Sequence, residues 1–267
     1  MVLSFIGLGL WDARDITVKG LQAVSLAHIV YLENYTAIQQ NSIEELEYFF
    51  NKKITLASRA MVEGDPNQII QDAKSKNVAF LVVGDVFSAT THTDLYLRAR
   101  KEGVVTEIIN NASILTAVGI TGLQLYKFGK TTSMVFFDDD WKPQTAYDAV
   151  KQNKTQGLHT LILLDIKVAE PSKEDLLQNR QSPLPARFMT VNQGLQQLLD
   201  IESQRNEKII SPQTMAIGVA RLGSETPTII FGAIQDLLSK DFGAPMHSII
   251  IPGNLHFLEE EVLALYH

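Results

Sequence analysis

VAFLVVGD, residues 78–85, followed by VFSATTHTDL, residues 86–95, decides the architecture. The first run is apolar almost without interruption. That is the pattern of a strand buried on both faces, and such strands belong in parallel sheets covered by helices. Gly84-Asp85 ends the run, a turn of small residues follows, and TTHTDLYLRARKEG (90–103) has helical patterning. The same alternation recurs on either side. VLSFIGLG (2–9), HIVYLE (28–33), KITLA (53–57) and VVTEII (104–109) read as strands. DITVKGLQAVSLA (15–27), SIEELEYFFNK (42–52) and PNQIIQDAKSK (66–76) read as helices. Ser42 followed by Glu45 has capping-box spacing, and Asp65-Pro66 marks a helix start. The reading is α/β with a largely parallel sheet.

The pattern starts afresh after GLQLYKFGKTT (122–132). SMVFF (133–137), HTLILLDIKV (159–168), TMAIGVARLG (214–223), TIIFG (228–232) and HSIIIPG (247–253) read as strands. PQTAYDAVKQNKTQG (143–157), TVNQGLQQLLDIESQ (190–204), AIQDLLSKDFG (233–243) and LEEEVLALY (258–266) read as helices. AEPSKEDLLQNRQSPLPA (169–186) carries Pro171, Pro183 and Pro185 and reads as a mobile loop. The expected division is an α/β domain over 1–125 and a second over 126–267.

Composition removes several classes of function. The chain has 267 residues, 45% hydrophobic and 20% charged, with net charge −7. No basic run suggests direct nucleic-acid binding. The absence of cysteine excludes disulfides, thiol catalysis and cysteine-ligated zinc. No stretch reaches the ~20 apolar residues of a membrane span. The start MVLSFIGLG lacks the basic region of a signal peptide, so a cytoplasmic protein without membrane attachment is expected.

Three turns carry the candidate chemistry. In GLGLWDARD (7–15), Asp12 stands where a dinucleotide fingerprint has its third glycine. A plain tight turn and a ligand loop stand level for this segment. In VVGDVFSATTHTDL (82–95), Asp85 lies at a strand's carboxyl end, where open α/β sheets bind ligands. The plainer alternative makes Asp85 a helix cap and His92 a packed helix residue, with Thr90 or Thr91 as further cap candidates. In NNASILTAVGITG (110–122), Ser113 has the look of an N-cap, with Ile114, Leu115 and Val118 turned inward. All three turns follow predicted strands, so they could converge on one crevice. Elsewhere, the carboxylates at 138–140 read as a solvated loop, and no His-x-x-x-His pair offers a zinc site. His159 reads as structural, and no nucleophile elbow or P-loop occurs.

IGLGLWDARDIT (6–17), VYLENYT (30–36), GDVFSATTHTDL (84–95), NNASILTAVGITGLQLYKFGKT (110–131), GLHTLILLDIKV (157–168) and IPGNLHFLEEE (251–261) together resemble the diphthine synthases. These are methyltransferases of diphthamide biosynthesis in the tetrapyrrole-methylase-like superfamily. VNQGLQQLLDIE (191–202) and the 169–186 insertion are more similar to the eukaryotic branch. Two positions depart from the family: Trp11 stands where glycine is usual and Val86 where proline is usual. Trp11 would put a bulky ring beside the first turn, and Val86 would free φ in the second.

The resemblance implies two α/β domains of the tetrapyrrole methylase type with S-adenosylmethionine in the cleft between them, and a homodimer. The family's cofactor contacts map onto Leu10, Asp85, Ser88, Ser113 and Ile114, then onto Leu164, Leu222 and His247. It implies elongation factor 2 as substrate, carrying a 3-amino-3-carboxypropyl group on a histidine. Repeated methylation would give diphthine or its methyl ester, leaving S-adenosylhomocysteine. No dedicated catalytic residue and no metal is expected. A methyltransferase acting on a tetrapyrrole and a non-catalytic cofactor- or nucleotide-binding module are the rival readings. The 169–186 loop and the acidic surface are the expected determinants of protein-substrate docking.

Overall fold

The computed structural model describes residues 1–138, 140–168 and 185–267. Asp139 and most of the loop read at 169–186 therefore lie outside the described residues. The chain forms two compact units, Met1–Leu115 and Thr116–His267.

In the first unit the strands are β1 (Val2–Gly7), β2 (Ile29–Glu33), β3 (Ile54–Ala57), β4 (Val78–Val82) and β5 (Val105–Ile109). They form one sheet in the order β3-β2-β4-β1-β5, with every pair parallel. Phe5 of β1 stands opposite Phe80 of β4 and Ile108 of β5. The continuous apolar runs have the expected cause, because both faces are buried. Leu3, Phe5, Val78, Phe80 and Val82 enter one core cluster; Ile6, Leu8, Ala79 and Leu81 enter another.

Helices α1 (Val18–Leu26), α2 (Ile43–Phe50), α3 (Asn67–Ser75) and α4 (Thr93–Lys101) connect the strands. The Ser42–Glu45 capping box forms at the start of α2. Pro66 precedes α3, whose first residue Asn67 donates its N–H to Asp65 Oδ1. Neither Thr90 nor Thr91 caps α4, contrary to expectation. Thr90 donates its hydroxyl to the Val86 carbonyl, Thr91 donates to Glu63, and His92 occupies the cap position without a side-chain cap bond. The hydroxyls find nearer acceptors than the helix end.

The short helix α5 (Ile114–Ala117) follows Ser113. Of the residues expected to turn inward, Val118 is buried, whereas Ile114 and Leu115 are half-buried.

The second unit's main sheet has strands β6 (Thr132–Met134), β7 (Thr160–Leu164), β10 (Met215–Ala220), β11 (Thr228–Ala233) and β12 (His247–Ile251). A separate antiparallel ribbon pairs β8 (Ile166–Lys167) with β9 (Arg187–Phe188). The main order is β11-β10-β12-β7-β6, and only β6 and β7 run parallel. This sheet is mixed rather than largely parallel. Residues 221–227 between β10 and β11 are too few for a crossover helix, so those strands must pair as a hairpin.

The single strand read at 159–168 breaks at Asp165, which accepts the Phe136 N–H through Oδ2. The helices are α6 (Thr145–Thr155), α7 (Val191–Arg205), α8 (Ile234–Leu237) and α9 (Phe257–Leu263). Helix α8 covers only part of the expected 233–243. Leu195, Leu198 and Ile201 of α7 pack with Ile162, Ala216 and Ile249 of the sheet. Among the described residues no helix is long and apolar enough to cross a membrane.

Candidate functional site

The strand order puts β1 beside β4 while their connections depart in opposite directions, to β2 and to β5. The carboxyl ends of these two strands lie where parallel α/β sheets bind ligands. The three turns singled out in the sequence meet there. Gly9 and Gly84 pair their backbones: Gly9 N–H donates to the Gly84 carbonyl at 3.1 Å, and Gly84 N–H to the Gly9 carbonyl at 2.7 Å. Asn111 of the third turn donates its side-chain amide to the carbonyls of Gly7 (3.0 Å) and Asp15 (2.9 Å).

The glycines answer mainly to this packing. A Cβ on Gly7 would sit 2.6 Å from the Gly84 carbonyl oxygen and 2.9 Å from Asn111 Cβ. Gly9 has φ +87°, and a Cβ there would meet Asp15 at 2.5 Å. The protein's own atoms occupy the space that these glycines clear. Gly84 differs: it is half-buried with φ +81°, and the nearest atom to its Cβ position is Ser113 Cβ at 3.8 Å. Gly7→Ala is expected to destabilise the first unit by about 1–3 kcal/mol through overpacking. Thermal unfolding checks this, and an unchanged midpoint would contradict the packing.

Asp85 joins the second turn to the third. It is 8% exposed. Its Oδ1 accepts from Phe87 N (3.1 Å) and Ser88 Oγ (3.1 Å); its Oδ2 accepts from Asn110 Nδ2 (3.0 Å) and Asn111 N (3.1 Å). Burial by itself raises this carboxyl group's pKa. The bonds from Asn110, Phe87, Asn111 and Ser88 outweigh burial and hold it below the ordinary carboxylate range. It is therefore an anion at neutral pH whose acceptor sites face its own chain. It does not cap α4, which begins eight residues further on at Thr93.

The remaining first-unit candidates surround this knot. Leu10 and Ile114 are half-buried, and Ser113 is buried beside Gly84. Trp11 is half-buried; its N–H donates to Asp15 Oδ2 at 2.7 Å and its carbonyl accepts from Gln40 at 3.2 Å. Val86 is fully buried in the core with Phe5 and Phe80, so side-chain packing fixes the turn there. Asn110 and Asn111 are not marked as site residues by the strand-end pattern. Two amides directly after a strand were the available signal, since such side chains bond neighbouring backbone.

In the second unit, Leu164 ends β7, Leu222 follows β10 and His247 opens β12; all three are buried. The ring of His247 is engaged within its own unit. Its Nε2 lies 3.1 Å from the Gly243 and Ala244 carbonyls, and its Nδ1 accepts from Val191 N at 3.4 Å. Burial lowers its pKa. His159 is likewise fully buried: Nε2 donates to Glu259 at 3.1 Å and Nδ1 accepts from Gly253 N at 2.9 Å. Among the described residues no cluster of three or more His, Asp or Glu offers a metal site.

Comparison with known proteins adds an independent line. The family model for tetrapyrrole (corrin/porphyrin) methylases matches residues 2–237. A diphthine methyl ester synthase of Dictyostelium discoideum is 49% identical over 263 residues, covering 98% of this chain and 96% of that protein. The Homo sapiens diphthine methyl ester synthase is 48% identical, with 99% and 95% covered. A crystal structure of a diphthine synthase superposes with TM-score 0.85 at 36% identity, covering 100% of this chain and 96% of that one. The match runs through both units and through all three turns, and the chain belongs to the tetrapyrrole (corrin/porphyrin) methylase family, among the diphthine methyl ester synthases.

Proposed function

We propose that this methyltransferase uses S-adenosylmethionine and acts on elongation factor 2, methylating a 3-amino-3-carboxypropyl group on a histidine to give the methyl ester of diphthine. The observation that supports the cofactor assignment is the meeting of the three turns at the carboxyl ends of β1 and β4. The residues fit such a ligand. Gly84 presents backbone without a side chain beside Ser113, and Ser88 and Ile114 stand half-exposed around it. Leu10, Asp85, Ser88, Ser113 and Ile114 would hold the cofactor, Asp85 by fixing the turns. Leu164, Leu222 and His247 are contacts carried over from the family.

Bound S-adenosylmethionine supplies a methyl group on a sulfonium, a leaving group that needs no acid. The chain's task is orientation. An acceptor amine, unprotonated and in line with the methyl, gains roughly 7–11 kcal/mol from positioning in favourable cases. No side chain is assigned as acid or base. The homodimer rests on the family resemblance, and sedimentation of the purified protein checks it.

Incubation with methyl-labelled cofactor and elongation factor 2 bearing the modified histidine is expected to label the factor. Label on a tetrapyrrole instead, or on neither, would overturn the assignment. Chelator is expected to leave S-adenosylhomocysteine binding unchanged by calorimetry.

A further inference from the structure

His92 is a buried titratable residue that the reading above leaves without a task. It is 0% exposed and sits at the start of α4, with its ring edge-on to Phe80 (5.4 Å between centroids) and to Tyr35 (6.4 Å). Apolar packing alone would be served as well by phenylalanine. One polar contact sets histidine apart: Nδ1 lies 3.2 Å from the carbonyl oxygen of Val86, six residues earlier. A carbonyl only accepts, so Nδ1 carries the proton and donates. Burial lowers the imidazole's pKa, and the carboxylates of Glu33 and Glu63 oppose that shift only in part. Neutral imidazole with its proton on Nδ1 is the state that this geometry needs.

Val86 is the residue directly after Asp85. Its carbonyl accepts a second donor, the Thr90 hydroxyl at 2.6 Å. Between them lie Phe87, Ser88 and Ala89, which belong to neither a strand nor a helix, and Ala89 is held at φ +60°. A left-handed alanine persists only where its surroundings enforce it. The turn is thus pinned at its near end by the Asp85 carboxylate and across its base by Thr90 and His92. Valine at position 86 does not lock φ as a proline would, so the bonds across the base bear on the turn's conformation.

We propose that His92 is a positioning residue for the 85–90 turn, holding the Val86 carbonyl so that Asp85, Ser88 and Gly84 keep the arrangement that receives the cofactor. The second half of this statement rests on the cofactor reading given above; the first half does not.

Two substitutions separate positioning from packing. His92→Phe keeps an aromatic ring against Phe80 and Tyr35 and loses the donor. His92→Asn loses the ring and keeps an amide N–H the same number of bonds from Cα as Nδ1. Hydrogen exchange of amides 87–91, measured on the full chain, reads the turn itself. Exchange is expected to quicken at least tenfold in His92→Phe and to return toward the wild-type rate in His92→Asn. Calorimetry with S-adenosylhomocysteine is expected to follow the same order, with roughly tenfold weaker binding for His92→Phe and recovery for His92→Asn. If His92→Phe exchanges like wild type, or His92→Asn is the worse of the two, the residue only packs and the proposal fails. If exchange follows the expected order while wild-type protein does not bind S-adenosylhomocysteine, the cofactor reading fails and the role of His92 in the turn stands.

Discussion

Glu259→Gln is expected to destabilise the second unit by about 1–3 kcal/mol for each buried donor it leaves unpaired. Glu259 is 0% exposed. Its Oε1 accepts from Gln124 N (2.9 Å) and His159 Nε2 (3.1 Å); its Oε2 accepts from Lys127 Nζ (2.7 Å) and His256 N (2.7 Å). Whichever way a glutamine amide is turned, its NH2 group faces two donors. The substitution therefore leaves buried N–H groups unpaired and Lys127 without its counter-charge. Denaturant unfolding measures the loss, and a change below about 1 kcal/mol would show that the network is dispensable.

The same residue sets an acid limit. Burial raises the Glu259 pKa, but the donors from Gln124, Lys127, His256 and His159 outweigh it and bring it to about 2, from an ordinary 4.5. A depressed carboxyl pKa contributes stability in full above the unfolded value and loses it as pH falls toward the folded one. Glu202 behaves alike: burial is outweighed by the N–H groups of Ile210, Lys208 and Ile209 and the Tyr147 hydroxyl, and its pKa also falls to about 2. The buried histidines His92, His159 and His247 have lowered pKa values, chiefly through burial. Their unfolded forms take up protons first, so stability begins to fall below about pH 6.5. Wild-type protein is thus expected to weaken in two stages on acidification, and Glu259→Gln to lose most of the stage between pH 4.5 and 2 that Glu259 contributes.

Asp85→Ala is expected to weaken S-adenosylhomocysteine binding at least tenfold, or about 1.4 kcal/mol, and to lower stability as well. The backbone N–H groups of Phe87 and Asn111 lose their acceptor, at roughly 1–3 kcal/mol for each that stays buried. Asp85→Asn is not a neutral replacement, because one of its two terminal groups becomes a donor facing Phe87 N–H or Asn111 N–H. It is expected to fall between wild type and alanine. Calorimetry and unfolding of the same samples test the pair. Loss of stability with intact affinity would make Asp85 a fold residue remote from the ligand.

Much of the candidate site is legible in the chain. GLG, GD and NNAS each mark the end of an apolar run, and the rule that such ends gather ligands points to that edge of the sheet. What periodicity does not carry is the reason for each residue. GLG reads as a cradle, yet Gly7 and Gly9 are small because Gly84, Asn111 and Asp15 fill the space. Asp85 reads as a ligand group or a helix cap, yet it binds the two turns together. Its third-turn partners, Asn110 and Asn111, are 25 and 26 residues away in sequence, and no local pattern encodes them.

The sequence by itself determined the first unit's parallel sheet, because burial on both faces demands uninterrupted apolar runs, and those runs can be seen one at a time. It determined the family too, since the ordered motifs extend from the first strand to the last helix. The strand order β3-β2-β4-β1-β5 and the mixed sheet of the second unit emerge only when the chain is packed. So does the bond between Glu259 and His159, a hundred residues apart. Strand pairing and buried hydrogen bonds depend on which donors the closed chain leaves without water. Each such group must find whatever acceptor the fold brings within reach, and that is a property of the packed molecule rather than of any segment of it.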